Sequence, residues 1–353
     1  TMEPTAAEHE RPATKAWAQP LPLSAICGAD EAATAVMVAY DTVPLCSANA
    51  TSIDMHVQNL LLPGTLAGED AAFVVDLGVL LRRWRFWRSA IPRVEPFYAV
   101  KCNGNPGMLA LLAALGAGFD CASPAEVEAV RRLGVTADRI IYANCCKLPR
   151  HLRAVVAAGV RMTTFDTEHE LGKIAAEAPD AELLLRIRAD DPTAGIVLGN
   201  KYGCEAHEVE PLLARARELG LDVAGVAFHV GSLANDPAAY RVAVAAARIA
   251  HVAGLRLGHR MRVLDIGGGF SGGVGAASDL MSDVAQKLND ALEEHFPLAE
   301  GVRIISEPGR YFAEATTTLL ARVFGRRVRP EEEDSHAYWI CDGIYGSLNC
   351  LYY

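Results

Sequence analysis

Eight short apolar runs rich in β-formers recur along this chain, separated by segments with helical spacing, and that alternation limits the fold more than any other feature. The runs are 97–100 "FYAV", 118–123 "GFDCAS", 139–144 "RIIYAN", 162–166 "MTTFD", 183–188 "LLLRIR", 223–230 "VAGVAFHV", 262–266 "RVLDI" and 303–306 "RIIS". Between them lie segments such as "PAEVEAVRRLG", "TEHELGKIAAEA" and "HEVEPLLARARELG". Ser123, Pro124 and Glu126 read as an N-cap, a first-turn proline and an acid at N3, while Gly134 and Gly220 stand at helix stops. Strand alternating with helix at this period means a parallel sheet. Eight repeats fit a closed (β/α)8 barrel of the TIM type better than an open, doubly wound sheet.

The flanks read differently. Residues 1–72 are expected to be a partly disordered segment, rich in Pro and Ala at "TMEPTAAEHERPATKAWAQPLPLS". A strand is expected near "AVMVAYDTV", able to add to a β-domain. At "AAFVVDLGVLLRRWRFWRSA" a short strand gives way to a helix. Residues 73–315 are expected to form the barrel. From 316 to 353 the pattern turns β-rich and aromatic, in "TTTLLARVFGRRV" and "AYWICDGIYGSL", split by the charge run "RPEEEDSH". Two strands rarely make a stable sheet of their own. This second, β-type domain therefore reads as incomplete, with Tyr353 inside a strand.

With 353 residues and 51% hydrophobic residues the chain can bury a large core. Its net charge of −10 argues against a sequence-independent nucleic-acid binder, which needs a basic face to displace counterions. It also mildly favours cationic small-molecule substrates. The nine cysteines form no CxxC, so no metal site is expected, and they read as reduced thiols in a cytoplasmic setting. No apolar run reaches the length of a membrane span. Glu3, Glu8 and Glu10, with no apolar stretch behind them, argue against reading the start as a signal peptide.

In a barrel of this kind the active site lies at the C-terminal ends of the strands. In "PFYAVKCN", Lys101 ends an apolar run. Either it snorkels to water from an ordinary strand end, or the amine is held there for chemistry. The other strand ends bear on that choice. Asp120 ends the second, Arg186 the fifth and His229 the sixth; the seventh runs into Gly267, Gly268 and Gly269, and the eighth into Glu307, Gly309 and Arg310. Each alone has a structural explanation, and three glycines alone can be a turn. Together at one rim they indicate a site. Successive glycines let backbone N–H groups approach an anion, and the loops after strands seven and eight often hold a phosphate in this fold. Arg310 and Ser232 strengthen that reading. An amine and a phosphate cradle facing one cavity suit pyridoxal 5′-phosphate, which reacts with lysine and acts as an electron sink. Glu307 is the candidate partner for the ring nitrogen, and the His229 imidazole is placed to stack on the ring.

The motifs "PFYAVKCN", "GFDCAS", "RIIYAN", "FHVGS", "LDIGGGF", "SEPGRYF" and "DGIYGSLNC" together resemble eukaryotic ornithine decarboxylase, a fold-type III pyridoxal-phosphate enzyme, in register from about residue 72 to 351. The resemblance implies that Lys101 is the Schiff-base lysine, that Glu307 pairs with the pyridinium nitrogen and that His229 stacks on the ring. Lys101, His229 and Glu307 are thereby the catalytic residues. Ser232, Gly267, Gly268, Gly269, Gly309 and Arg310 are expected around the phosphate, Arg186 beside the phenolic oxygen, and Asp120 and Glu126 as supports of the lysine. The implied reaction turns L-ornithine into putrescine and carbon dioxide.

The resemblance also implies a cytoplasmic homodimer with shared sites, each completed by residues from the partner's β-domain, and antizyme as a further partner. Three expected elements lie past position 353: an aspartate that binds the substrate's distal amine, a Cys-Asp pair, and a tyrosine that reaches the phosphate. The chain's end at "NCLYY" is expected to impair activity on its own. Cys145 stands where the family usually has proline, and "SLAND" at 232–236 replaces a Gly-Cys-Thr loop. Two other readings share the fold: a non-catalytic regulator like the antizyme inhibitors, and a lysine, arginine or diaminopimelate decarboxylase. The intact cofactor positions count against the first, and the wording of "FYAVKCN" and "DGIYGSLNC" fits ornithine better than the second.

Overall fold

The structure, a computed structural model, describes residues 71–273, 276–328 and 336–349. The expectations for residues 1–70, for most of the charge run and for the last four residues lie outside these.

Eight parallel strands close into a barrel: β2 (Val94–Ala99), β3 (Gly118–Cys121), β4 (Ile140–Tyr142), β5 (Met162–Phe165), β6 (Glu182–Arg186), β7 (Asp222–Ala227), β8 (Val263–Asp265) and β9 (Arg303–Ser306). They are the eight runs picked out by composition, in order. Closure comes from β2 pairing with β9, Val94 opposite Ile304. The observed strands are mostly shorter than the apolar runs. The run at 97–100 ends early because Val100–Cys102 turns into a 3-10 helix, so Lys101 sits just beyond β2 rather than on it.

Two apolar layers hold the barrel. The inner one is small: Phe97, Ile141, Met162, Leu184, Ala224, Ala227, Val263 and Ile305. Gly118 belongs to that layer by what it lacks, since a Cβ there would lie 2.6 Å from the Phe97 ring. The outer layer is the contact between strands and helices. The helix α1 (Leu77–Ala90) shows how it is coded: Leu80, Trp84 and Trp87 fall at i, i+4 and i+7 and are buried, while Arg82 and Arg85 between them are exposed. Trp87 donates to Val94 O at 3.0 Å and packs against Phe270 and Tyr311, which ties α1 to the seam where the barrel closes.

The remaining helices are α2 (Pro106–Ala114), α3 (Pro124–Arg132), α4 (Pro149–Ala157), α5 (Glu168–Glu177), α6 (Val209–Glu218), α7 (Pro237–Arg256), α8 (Ala276–His295) and the short α9 (Arg310–Ala313). The start signals work as read. Ser123 Oγ accepts the Glu126 N–H at 3.3 Å, with Pro124 in the first turn. Gly134 and Gly220 close α3 and α6 at φ +80° and +72°, where a side chain would be strained.

Outside the barrel lie two small antiparallel sheets. β1 (Ala72–Val75) pairs with β10 (Thr317–Leu320), and β11 (Val323–Val328) pairs with β12 (His336–Ile340). The strand-then-helix reading of the stretch from residue 71 holds. In "AYWICDGIYGSL" the strand stops at Ile340, and the residues after it form turns. Asp342 explains the stop: its carboxylate accepts the Ser347 N–H at 2.9 Å and folds the chain back on itself.

Candidate active site

At the N-terminal end of the barrel the polar groups are used up by structure. Arg139 donates to the carbonyls of Ala113 and Ala117, and Arg303 forms a two-pronged pair with Glu95. The C-terminal mouth is different.

Lys101 Nζ lies 2.7 Å from Asp120 Oδ2. Asp120 is fully buried in β3, while the lysine side chain is 52% exposed, so the amine faces the mouth and the carboxylate holds it from below. Burial pulls the amine's pKa down, but the charges of Asp120 and Glu307 outweigh it and the net shift is upward. Glu126 is tied down as well, accepting the Ala122 N–H at 2.6 Å at the start of α3.

Glu307 follows β9 directly. Its N–H donates to Gly267 O at 2.7 Å, which joins the ends of β8 and β9. Its carboxyl group is buried, and Oε1 has no hydrogen-bond partner. Burial, then the nearby carboxyls of Asp265 and Asp120, push its pKa upward. A buried carboxyl oxygen left unpaired is costly and expects a donor.

The glycine turn after β8 is built for close approach. A Cβ on Gly267 would stand 2.1 Å from Phe228 O, on Gly268 2.7 Å from Glu307 O, and on Gly269 2.6 Å from Gly231 O. The carbonyls of the turn are engaged: Gly267 O by Ser306 Oγ at 2.7 Å, Gly268 O by Tyr240 at 3.1 Å and Gly269 O by the Ala234 N–H at 3.1 Å. The N–H groups of Gly268 and Gly269 meet no acceptor among the described residues. Arg310 Nε donates to Ser232 Oγ at 2.9 Å beside this turn, and Gly309 brings the backbone against Cys102.

His229 lies two residues past β7, between these groups. Its Nδ1 accepts the Gly231 N–H at 3.0 Å, which leaves Nε2 as the protonated nitrogen. Burial, with Arg186 and Lys101 nearby, lowers its pKa to about 3, so the ring is a neutral, flat surface. Arg186 ends β6, lies over the Tyr202 ring at 5.0 Å and reaches Cys145 Sγ at 3.8 Å. Cys145, a departure from the usual proline, therefore touches a site cation, and burial raises its thiol pKa to about 11.

Sequence reading passed over two groups. Asp265, 1% exposed, receives the Gly267 N–H at 2.9 Å, and Ser306 anchors the same turn. A buried strand ending in aspartate just before three glycines was the available signal for the first.

Residues 77–314 match the family described as pyridoxal-dependent decarboxylase, pyridoxal binding domain. The chain belongs to the pyridoxal-dependent decarboxylases. Mouse ornithine decarboxylase is 42% identical over 296 residues, covering 81% of this chain and 64% of that protein. Antizyme inhibitor 2 of Xenopus laevis is also 42% identical, over 291 residues, with 80% and 64% covered. Among solved structures, the arginine decarboxylase of Paramecium bursaria Chlorella virus bound to agmatine has a TM-score of 0.80 at 35% identity, over 84% of this chain and 78% of that one. The chain thus spans about 64% of the length of the curated relatives it matches. The family's cofactor is pyridoxal 5′-phosphate, and the mouth of this decarboxylase barrel fits it: a restrained amine, an unpaired buried carboxyl oxygen, and a turn with free N–H groups where no Cβ could stand.

Proposed function

We propose that this chain carries the cofactor half of an enzyme that decarboxylates L-ornithine to putrescine and carbon dioxide. Pyridoxal phosphate, when bound, supplies an electron sink for the carbanion left by loss of the α-carboxylate. Lys101 presents the amine that meets the cofactor's aldehyde, and Asp120 keeps that amine aimed into the mouth. Glu307, as a carboxylate, would accept the ring N–H and so keep the ring cationic. His229, held neutral, would offer the ring a flat face without adding a competing positive charge. Gly267, Gly268 and Gly269, with Ser232, Gly309 and Arg310, would hold the phosphate, and Arg186 would serve the phenolic oxygen. The single observation that carries this reading is the Lys101–Asp120 pair at the same mouth as the buried, unpaired carboxyl of Glu307.

The substrate, the homodimer with shared sites, the division at about residues 73 and 315 and the cytoplasmic setting belong to the same proposal. The substrate is supported by the ornithine decarboxylase relatives, the division by the family match over residues 77–314, and the setting by six free cysteines among the described residues. No helix among those residues is long and apolar enough to cross a membrane. The antizyme inhibitor relative, equally identical, favours a second reading as a regulator that binds antizyme. Absorbance decides the first step: added pyridoxal phosphate gives a band at the violet edge of the visible in the wild type and none in Lys101→Ala. Release of labelled carbon dioxide from ornithine, against lysine and arginine, tests the substrate. Antizyme binding with no release from any of the three would favour the regulator.

A further inference from the structure

Asp265 has no task in the arrangement just proposed, yet it lies against its centre. β8 and β9 are neighbours, with Asp265 opposite Ile305, so the carboxyl at the end of β8 and that of Glu307 after β9 stand side by side. One oxygen of Asp265 is fixed by the Gly267 N–H, and the other has no N–H or O–H donor. Glu307 likewise keeps an unpaired buried oxygen. The two carboxyls act on each other directly: after burial, Asp265 is the largest upward influence on the Glu307 pKa. Two carboxylates buried in contact cannot both be charged, since repulsion adds to desolvation. A single proton between them turns the clash into a strong, charge-assisted hydrogen bond.

We infer that Asp265 is a positioning residue: it shares one proton with Glu307, and when Glu307 meets the ring N–H as a carboxylate that proton sits on Asp265, whose O–H holds Glu307 in place. This rests on Glu307 being the partner of the ring nitrogen. The surroundings agree. Burial raises the pKa of both acids. Lys101 and Arg186 supply the facing positive charge, Asp120 a further negative one, and neutral His229 closes the site from β7. One negative charge on the pair, not two, matches the single positive charge of the ring.

The test is the contrast between two substitutions. Asparagine copies a protonated aspartate: its oxygen accepts the Gly267 N–H and its amide donates to Glu307. Asp265→Asn therefore keeps pyridoxal phosphate affinity within about threefold of wild type, while Asp265→Ala weakens it about tenfold or more. Asparagine as damaging as alanine, or alanine as good as wild type, overturns the inference. Because the alanine variant can fail to fold, the infrared difference between loaded wild type and loaded Asp265→Asn gives a second reading. A carbonyl stretch of a protonated carboxyl, present at neutral pH only in the wild type, is expected, and its absence overturns the inference. If the wild type itself takes up no cofactor, the reading of the whole site fails; if only Asp265→Asn does not, the fault lies with the shared proton alone.

Discussion

Lys101 and Asp120 meet at 2.7 Å across the ends of two neighbouring strands, with the aspartate fully buried and the lysine reaching into the mouth. The contact is lopsided by design of the fold: the buried partner cannot move, so it decides where the exposed one points. Replacing Asp120 by Asn removes the largest upward influence on the Lys101 pKa. The amine should then titrate at lower pH, which NMR of the reductively methylated lysine would follow. The raised native pKa stabilises the fold below the unfolded lysine's value of about 10.4, and that contribution is lost only as pH rises through the native value. Asp120→Asn should lose it earlier, and an unchanged titration would contradict this account.

His229 carries the opposite sign. Its native pKa is lowered from 6.5 to about 3. The unfolded chain takes up a proton that the native ring refuses, so stability is complete above about pH 6.5 and declines as pH falls toward 3. In thermal melts of the cofactor-free protein, wild type should lose up to about 1.4 kcal/mol per pH unit more than His229→Gln over that window. Parallel curves for the two would remove the buried neutral histidine from the picture.

Gly269→Ala should fail for two reasons at once. The position has φ +107°, and a Cβ would stand 2.6 Å from Gly231 O and 2.8 Å from Tyr240 Oη. A cost of about 1–3 kcal/mol in urea denaturation is expected, together with weaker uptake of pyridoxal phosphate, because the N–H that faces the anion moves with the strained turn. Normal affinity in a folded variant would exclude this turn as the phosphate cradle.

A prediction away from the site concerns the cluster under α5. Lys147 is fully buried, with Nζ 2.6 Å from Thr164 O and 3.0 Å from Glu170 Oε1, and Lys173 pairs with the other Glu170 oxygen. Burial depresses the Lys147 pKa, and Glu170 opposes that. Glu170→Ala leaves a buried ammonium without its counter-ion and should cost about 3–5 kcal/mol. The double change Lys147→Met with Glu170→Leu should cost less than Glu170→Ala alone in the same denaturation assay, since the fully buried charge is gone and only Lys173, which reaches solvent, loses its carboxylate.

Much of this protein could be read from local order. The short apolar runs rich in β-formers mark all eight barrel strands, Ser123–Pro124–Glu126 marks a helix start, and three glycines after a strand mark a turn that backbone can approach. These signals are legible because strand pleat, helix repeat and capping act over a few residues. The placement of Lys101, Arg186, His229, Gly267–Gly269 and Glu307 at one mouth also followed, since parallel strands in a closed barrel send every C-terminal end the same way. What only the tertiary structure decided are contacts between groups far apart in the chain: Val75 beside Thr317, Arg186 against Cys145, and above all the carboxyl of Asp265 against that of Glu307. No local pattern encodes those, because they depend on how strands align once the barrel has closed, and a carboxyl's charge depends on the neighbours that closure brings to it.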